Sequence, residues 1–545
     1  MRSFLKVLLV FLATFAVLIL LHWPLLRLPY FWDEAGYYIP AALDFSRAWL
    51  LIPKSTLPEG HPPLVMIYLG LAWRVCGYSA WITRAAMTLI ATATLAALDA
   101  LARRVASREI AIWSVLLLAL SPLFFAQSTL AHLDLAAALF TVLAVLFLLG
   151  DQAWLFVLAA SLAVLSKETA VVLLPVVWLE VWRRRRGLPR APLSTWIPLV
   201  APLLPLAAWT LYYHHSTGYW IGNRGYLSYN VYSTLAPARV FWSLLRRVHQ
   251  LFISGFNWLL TSGALAGLWW GRKHAGDGTR DPGLGARDTE NPARDSGHPT
   301  RETGYGIRDS VVTQDSSPES LALSPVRPWR PFIFLTGGLA AIYLLMLSVV
   351  GGAILPRYLL PVLPLFYLAT VAMVTRLPRF PARLLLGAAA ACFVGAWFIN
   401  PPYPFPLEDN LAYADFIRLH QQAAHYLETQ PGRPRILTAW PATGELASPF
   451  LGYVRDPLRV VPVEGFAPQD LGSVPPDSFD LLYLYSRRWE PPGNWVARSP
   501  AWLQMQVRYF DYHPQADAPA VAARFHLHLI TEMERRGQWV RIYAH

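Results

Sequence analysis

Long apolar stretches alternate with short polar connections over the first 400 residues of the chain. The first stretch follows a basic start in "MRSFLKVLLVFLATFAVLILL" and has no convincing small-x-small cleavage site, so we predict a retained helix. Some stretches are shorter than the roughly 20 residues of a full span. The pattern predicts a polytopic α-helical membrane protein with about eleven transmembrane helices. The predicted spans are 7–26, 80–102, 110–127, 133–150, 152–166, 168–182, 195–213, 250–270, 331–350, 357–375 and 384–400.

Composition agrees with this class. Of the 545 residues, 55% are hydrophobic and only 15% are charged, whereas roughly a quarter of a soluble chain is charged. The net charge of +12 would suggest a nucleic-acid partner in a soluble protein. Here the arginines cluster between apolar spans, as membrane topology requires, so no nucleic-acid partner is predicted. Two cysteines in apolar surroundings exclude a disulfide framework and a zinc pattern.

Lys and Arg set the predicted orientation. The run "WRRRRG" gives the strongest signal for a cytoplasmic connection, and with a cytoplasmic N-terminus the other basic connections fall on the same side. This puts the loop "PYFWDEAGYYIP" on the outer side. The segment 61–77 is apolar, but counting it as a span would move the Arg run outside. We therefore predict a helix that lies along the outer interface.

The chain divides into four predicted regions. Residues 1–270 form an N-terminal transmembrane catalytic region with the first outer loop, and residues 331–400 form the C-terminal transmembrane helices. Residues 271–330 lie between these two regions. Here Arg followed by Asp or Glu recurs every seven residues, with many Gly and Pro and without an apolar seam. This pattern predicts a disordered cytoplasmic insert without a catalytic role. Residues 401–545 alternate short strand-like and helical patterns and predict a small extracytoplasmic α/β domain.

Polar residues recur at the predicted outer ends of the spans. Each has an ordinary explanation when taken alone, because basic side chains snorkel to headgroups and tyrosines join aromatic belts. Acids at a membrane edge are costly and therefore harder to explain. The set comprises Asp33 and Glu34, His61 in "GHPPL", His132 and Asp134 in "STLAHLDLA", Lys167 in "LSKETA", and Arg357 and Tyr358 in "LPRYLLP".

Carboxylates and cations near one membrane face suit transfer from a lipid-linked phosphate. The cations would hold the phosphate and neutralise charge on the leaving group. A carboxylate would take the proton from an acceptor hydroxyl.

Five of these stretches, in order, resemble landmarks of a known family. "FWDEAGYY", "GHPPL", "SPLFFAQSTLAHLD", "LSKE" and "RYLLPVLP" are similar to motifs of the polyprenol-phosphate-sugar-dependent glycosyltransferases, which include protein O-mannosyltransferases and the aminoarabinose transferases of lipid A. The resemblance covers residues 1 to about 400 without the insert. It implies a GT-C fold and inverting transfer of a single sugar from a polyprenyl phosphate to an acceptor hydroxyl or phosphate at the outer face of the inner membrane.

The resemblance also implies residue roles. Asp33 matches the acid of the first outer loop, a general base or acceptor-orienting group, and Glu34 joins it in the predicted catalytic pair. The positions expected to contact donor phosphate are His61, which stands where relatives often have Lys, and Lys167, Arg357 and Tyr358. His132 and Asp134 are expected to organise the site. No cofactor is certain, and a divalent metal stays open.

Two alternatives remain open at this stage. A ligase or polymerase that uses a polyprenyl-diphosphate glycan should show more cations for its two phosphates. A lipid or sugar transporter should carry ionisable residues near mid-bilayer in broken helices. The acceptor, whether a glycolipid, a cell-wall polymer or a protein, and the donor sugar are not encoded in any motif.

Overall fold

A computed structural model describes residues 2–186, 192–274, 328–489, 499–510, 512 and 515–545. Its α-helices are α1 (Arg2–Leu21), α2 (Ile39–Ala48), α3 (Leu64–Cys76), α4 (Ala80–Val105), α5 (Arg108–Leu120), α6 (Pro122–Gln127), α7 (Leu133–Leu148), α8 (Ala153–Ser166), α9 (Leu173–Arg185), α10 (Leu193–Val200), α11 (Leu203–Thr217), α12 (Arg224–Asn230), α13 (Pro237–Phe252), α14 (Asn257–His274), α15 (Trp329–Val349), α16 (Leu363–Val374), α17 (Arg379–Ala396), α18 (Ala412–Glu428), α19 (Ala442–Ala447), α20 (Pro468–Gly472), α21 (Pro500–Phe510) and α22 (Ala518–Phe525). Its strands are β1 (Arg435–Ala439), β2 (Arg459–Val463), β3 (Leu481–Tyr485), β4 (His528–Arg535) and β5 (Gln538–Ala544).

The predicted apolar segments are helical, but several are broken. Among the described residues, four helices are long and apolar enough to span a membrane, namely α1, α4, α15 and α17. Two further candidates are bent pairs, α10 with α11 at 41° and α13 with α14 at 42°. The remaining predicted spans coincide with shorter helices such as α7, α8 and α16. The helical class is therefore confirmed, whereas the number of spans stays a prediction.

Proline explains one break that matters for the site. The predicted span 110–127 divides at Ser121, because a residue that precedes proline favours extended backbone. The Ser121 hydroxyl then accepts a hydrogen bond from the Phe124 N–H and caps α6. The short helix α6 leads into the loop 128–132. In this loop the Thr129 carbonyl contacts Arg84 and the His132 ring contacts Arg357, and both arginines are buried.

Most buried apolar residues of the helical region belong to one cluster that continues into the C-terminal domain, and Ala163, Val164 and Ala170 form a second small cluster. Helix α4 packs against α5 and α7, α7 packs against α8, and α14 packs against α16. The segment 61–77 forms α3, which buries Val65, Leu69 and Trp73 and packs against α2 and α4. The predicted helix is confirmed, and its position relative to a membrane stays a prediction.

The C-terminal region is an α/β domain, as the sequence indicated. Its five-stranded sheet has the order β2-β1-β3-β5-β4, with β1 parallel to β2 and β3 and the other pairs antiparallel. Strand β3, "LLYLY", is buried along its whole length, as expected of a central strand with both faces covered. Helix α18 packs against β4 and β5.

This domain also packs on the loop that follows α1. The Tyr30 N–H donates to the Leu451 carbonyl at 3.3 Å, and the Tyr453 hydroxyl donates to the Tyr30 carbonyl at 3.1 Å. The side of the membrane on which the domain lies stays a prediction. The Arg repeat of the predicted insert falls within 275–327, which lies outside the described residues.

Candidate active site

The loop after α1 directs two consecutive carboxylates to different places. Glu34–Tyr38 form one turn of π-helix, a rare conformation that is frequent at functional sites. Asp33 precedes this turn and makes no capping hydrogen bond with its side chain. The ordinary explanation for such a pair, that its acids cap a helix, is therefore not what the structure shows. Asp33 lines a large cavity, whereas Glu34 lies in the protein core.

Glu34 is fully buried and completely hydrogen-bonded. Its Oε2 accepts from Arg84 Nη2 at 2.9 Å and from the Phe31 N–H at 2.8 Å. Its Oε1 accepts from Arg84 Nη1 and from the Ala131 N–H. Arg84 also donates to the carbonyls of Pro29 and Thr129. The structure does not bring Glu34 to the cavity, so we interpret it as a structural residue and not as a partner of Asp33 in catalysis.

Arg357 holds the predicted acids together. It lies in the 3₁₀ turn Pro356–Leu359 and is buried. Its Nη2 donates to Asp33 Oδ2, its Nη1 donates to Glu408 Oε2 at 2.7 Å, and its Nε lies 3.7 Å from Asp134 Oδ2. Three carboxylates thus surround one guanidinium. Its Nε has no hydrogen-bond partner among the described residues.

Lys167 and Tyr358 extend this cluster. Helix α8 ends at Ser166, and Lys167 follows in extended conformation. Its ammonium donates to Asp134 Oδ1 at 2.7 Å and lies 3.9 Å from the centre of the Tyr358 ring. Asp134 lies in the first turn of α7, where a carboxylate is favoured by the helix dipole.

His132 is buried beside Arg357. Its Nδ1 lies 2.7 Å from Gln127 Oε1, and its Nε2 lies 3.0 Å from Arg357 Nη1. Because Arg357 can only donate, Nε2 must accept and Nδ1 must carry the proton. A neutral imidazole in this tautomer orients the guanidinium, and the organising role of His132 stays a prediction.

His61 lies in the loop that precedes α3, where its Nδ1 contacts Glu168 Oε2 at 2.9 Å. Burial alone would lower the pKa of His61, but the carboxylate of Glu168 outweighs it and raises the pKa above its usual value. Glu168 directly follows Lys167 in the chain. The His61 loop therefore meets the Lys167 turn at the same wall of the cavity.

Glu59 and Glu408 are two of the cavity-wall acids that were not predicted. Burial raises the pKa of Glu59 to about 7, and burial does the same to Glu408. Glu59 is separated from His61 by one glycine in "EGHPP", and Glu408 belongs to "PLEDN". The second acid had a readable signal, because an acidic pair follows the last predicted span just as Asp33 and Glu34 follow the first.

The cavity itself is large. Its volume is about 1410 Å³, above the roughly 300–1,000 Å³ of drug-sized ligand sites. Of the residues predicted from sequence, those in its lining are Asp33, His61, Lys167, Arg357 and Tyr358, whereas His132 and Asp134 lie behind them. The C-terminal domain contributes Trp440, Arg487 and Arg488 to the lining. The site is thus formed jointly by the helical region and the C-terminal domain.

Within the described part of the chain, no group of three or more His, Cys, Asp or Glu is placed to hold a metal ion. The carboxylates of the cluster are engaged instead by Arg357 and Lys167. Metal dependence stays untested.

The chain is similar to a known protein family and to solved structures. The model of the dolichyl-phosphate-mannose-protein mannosyltransferase family matches residues 60–216. No curated protein sequence matches the chain.

Solved structures match over the whole length. The crystal structure of ArnT from Cupriavidus metallidurans bound to undecaprenyl phosphate has a TM-score of 0.52 and 15% sequence identity, covering 98% of this chain and 97% of that one. The apo structure of the same protein has the same score and identity, covering 99% and 98%. At this identity the likeness shows the fold alone. The chain therefore shares the fold of ArnT, and the family model over residues 60–216 confirms the predicted resemblance to the polyprenol-phosphate-sugar-dependent glycosyltransferases.

Proposed function

We propose that the protein is an inverting glycosyltransferase that moves a single sugar from a polyprenyl phosphate to an acceptor hydroxyl or phosphate at the outer face of the membrane. The observation that carries this proposal is a cluster of charged side chains at the wall of the large cavity. It consists of the carboxylates of Asp33, Asp134 and Glu408 and the cations of Arg357 and Lys167. The fold supports it, because one of the similar structures is bound to undecaprenyl phosphate.

Transfer breaks the bond between the anomeric carbon and the phosphate oxygen of the donor. The phosphodiester, with about one negative charge, becomes a monoester with close to two. Lys167, Arg357 and His61 lie where they would neutralise this developing charge, and the Tyr358 hydroxyl would add a hydrogen bond. Because the charge grows towards the transition state, these contacts accelerate the step and do more than bind the donor.

A hydroxyl acceptor must lose a proton as its oxygen forms the new bond to the anomeric carbon, whereas a phosphate acceptor attacks with an oxygen that is already ionised. A cavity carboxylate takes this proton, and Asp33 is placed either to do so or to orient the acceptor. Inversion follows if the acceptor attacks opposite to the leaving phosphate. The large cavity gives room for a lipid-linked donor and a second substrate together.

One observation favours the alternative of a polyprenyl-diphosphate donor. Arg246, Arg487 and Arg488 also line the cavity and were not predicted, and a second phosphate would need such additional cations. A transporter is less well supported, because the ionisable residues of the cluster lie at the ends of helices and in turns.

Purified protein in lipid nanodiscs tests the proposal. We expect saturable binding of undecaprenyl phosphate and transfer of radiolabelled mannose from undecaprenyl-phosphate mannose, the first of a panel of donors, to an envelope extract from a deletion strain. Transfer from diphosphate-linked oligosaccharides alone would favour the alternative. Binding of neither lipid would overturn both.

A topology reporter tests the outer face. A reporter fused after His545 should read as extracytoplasmic if the chain crosses the membrane an odd number of times from a cytoplasmic start. A cytoplasmic reading would move Asp33 and the cavity to the other side and exclude action at the outer face.

A further inference from the structure

The segment that joins α17 to the C-terminal domain places an acid beside Arg357. Glu408 lies in the 3₁₀ turn Leu407–Asp409, and its backbone carbonyl accepts from Gln127 Nε2 at 3.2 Å. Its Oε2 accepts from Arg357 Nη1 at 2.7 Å. The residue is only 4% exposed, yet it lines the cavity.

The second carboxylate oxygen of Glu408 differs from the first. Glu408 Oε1 is buried and has no hydrogen-bond partner among the described residues. A buried acceptor without a donor is unfavourable, so it is normally satisfied by some group from outside the chain. Because this oxygen belongs to a residue of the cavity wall, the missing donor is best supplied by a ligand hydroxyl.

Asp33 contacts the same guanidinium. Its Oδ2 accepts from Arg357 Nη2 just as Glu408 Oε2 accepts from Nη1, but the Asp33 side chain is 20% exposed whereas that of Glu408 is 5% exposed. The two acids therefore share Arg357 and differ in their second oxygen, because that of Glu408 is buried without a hydrogen-bond partner among the described residues.

We propose that Glu408 is the general base, whose Oε1 removes the proton from the acceptor hydroxyl, while Asp33 positions Arg357. This inference rests on the proposed function. As the acceptor oxygen bonds to the anomeric carbon, its proton passes to Glu408 and the bond to phosphate breaks. The products are the glycosylated acceptor, the polyprenyl phosphate and a protonated Glu408, which then releases its proton to solvent.

The charges around Glu408 set its proton affinity. Burial raises its pKa to about 7, Arg357 opposes this, and the negative charges of Asp33 and Asp134 add to it. His132 Nε2 lies 3.9 Å from Glu408 Oε2, and the imidazole is neutral in the tautomer assigned above. Asp409 follows Glu408 in the chain. A base with a pKa close to the working pH is the most effective compromise between availability and strength.

Glu59 is the rival for this role. It also lines the cavity and also has a pKa raised to about 7. It lies, however, in the His61 loop, where a donor phosphate is expected. The carboxylate of Glu408 instead lies next to Arg357, at the junction with the C-terminal domain. A comparison of Glu59→Gln with Glu408→Gln distinguishes the two acids.

The test is the pH dependence of transfer in Glu408→Gln. Gln keeps the size and can still accept from Arg357, but it cannot take a proton. In the unmodified protein the rate should rise with pH through an inflection near 7, because only the deprotonated base is active. Glu408→Gln should lose about a hundredfold or more in rate and should also lose the inflection, with undecaprenyl phosphate binding unchanged.

Glu445→Gln is the matched control. Glu445 is another buried glutamate of the C-terminal domain, and its Oε2 lies 2.6 Å from His420 Nδ1. Its Oε1 also has no hydrogen-bond partner among the residues that the structure describes, but Glu445 does not line the cavity. Its substitution removes a comparable charge and should change neither the rate per folded molecule nor the pH profile. Thermal unfolding of every variant separates a loss of fold from a loss of chemistry.

Each outcome decides the inference. A rate and pH profile in Glu408→Gln equal to those of the unmodified protein would overturn it and leave the proposed function intact. Loss of the inflection in Glu59→Gln instead would transfer the role to Glu59. If Glu408→Gln does not fold, Glu408→Asp should fold and shift the inflection, and an unshifted profile would count against the role. Absence of both lipid binding and transfer in the unmodified protein would overturn the proposed function itself.

Discussion

Two buried arginines flank the loop after the first helix, and their surroundings differ. Arg84 faces Glu34, and both carboxylate oxygens and both terminal guanidinium nitrogens of that pair have hydrogen-bond partners inside the protein. Arg357 faces three carboxylates beside a cavity, and its Nε, 3.7 Å from Asp134 Oδ2, has no hydrogen-bond partner in the described part of the chain. A charged pair whose hydrogen-bonding groups are satisfied within the protein stabilises the fold. A pair that keeps hydrogen-bonding groups without a partner can still bind a substrate. The predictions below test this difference.

The largest effect is expected at the pair of Arg84 and Glu34. Arg84→Ala leaves the buried charge of Glu34 without a counter-ion, which typically costs about 3–5 kcal/mol. Thermal unfolding in detergent should show a much lower melting temperature. The double variant Arg84→Met with Glu34→Gln should recover part of the loss, because neither charge remains. An unchanged melting temperature in Arg84→Ala would remove the structural role of the pair.

The adjacent acids should respond in opposite ways. Asp33→Asn should lower the rate of transfer by about a hundredfold, because Arg357 loses a charged partner and the site loses its geometry. The melting temperature should change little. Glu34→Gln should lower the melting temperature, since its amide nitrogen would face an N–H donor, but should keep the rate per folded molecule. Kinetics and unfolding on the same preparations check both. Full activity in Asp33→Asn would break the comparison.

A smaller effect is expected at Lys167. Lys167→Ala removes one cation from the donor phosphate, and such charged hydrogen bonds contribute about 1.5–3 kcal/mol, or roughly ten- to two-hundredfold in rate. Donor use should suffer more than acceptor use. Arg246→Ala is an informative companion, because Arg246 lines the same cavity outside the Arg357 cluster. A larger loss there than at Lys167 would favour the diphosphate alternative.

The smallest effect is expected from deleting 276–325. This stretch is polar and repetitive and lies, by the predicted topology, opposite to the chemistry. Transfer and melting temperature should stay close to those of the full chain. A deletion that folds but is inactive would show that the insert takes part in function.

The sequence predicted much of this site because the relevant residues contrast with their surroundings. Asp33, Lys167 and Arg357 each interrupt an apolar pattern at a helix end, and the structure brings them into one cluster. The opposite roles of Asp33 and Glu34 were not readable, because a π-helical turn and not a regular period decides where each points. Nor was the use of Glu408, since its partner Arg357 lies 51 residues away in another turn.

The fold shows the same division. Helices could be read from apolar runs, but their breaks depend on local chemistry such as the Ser121 cap. The long helix α13 was missed as a separate element, because its arginines obscure an apolar face. Arg247 in this helix donates to the carbonyls of Ala353 and Leu355 and so supports the turn that carries Arg357. Such a role depends on tertiary contacts that no local pattern encodes.

The ion pair between Asp33 and Arg357 also has a consequence for synthesis of the chain. Its members are 324 residues apart, so at roughly 5–20 residues per second the ribosome needs on the order of tens of seconds to supply the second after the first. During that interval the carboxylate of Asp33 has no guanidinium to neutralise it and is best kept hydrated. We therefore expect the loop after α1 to stay hydrated until the segment that carries Arg357 has been made. The site then forms late in synthesis.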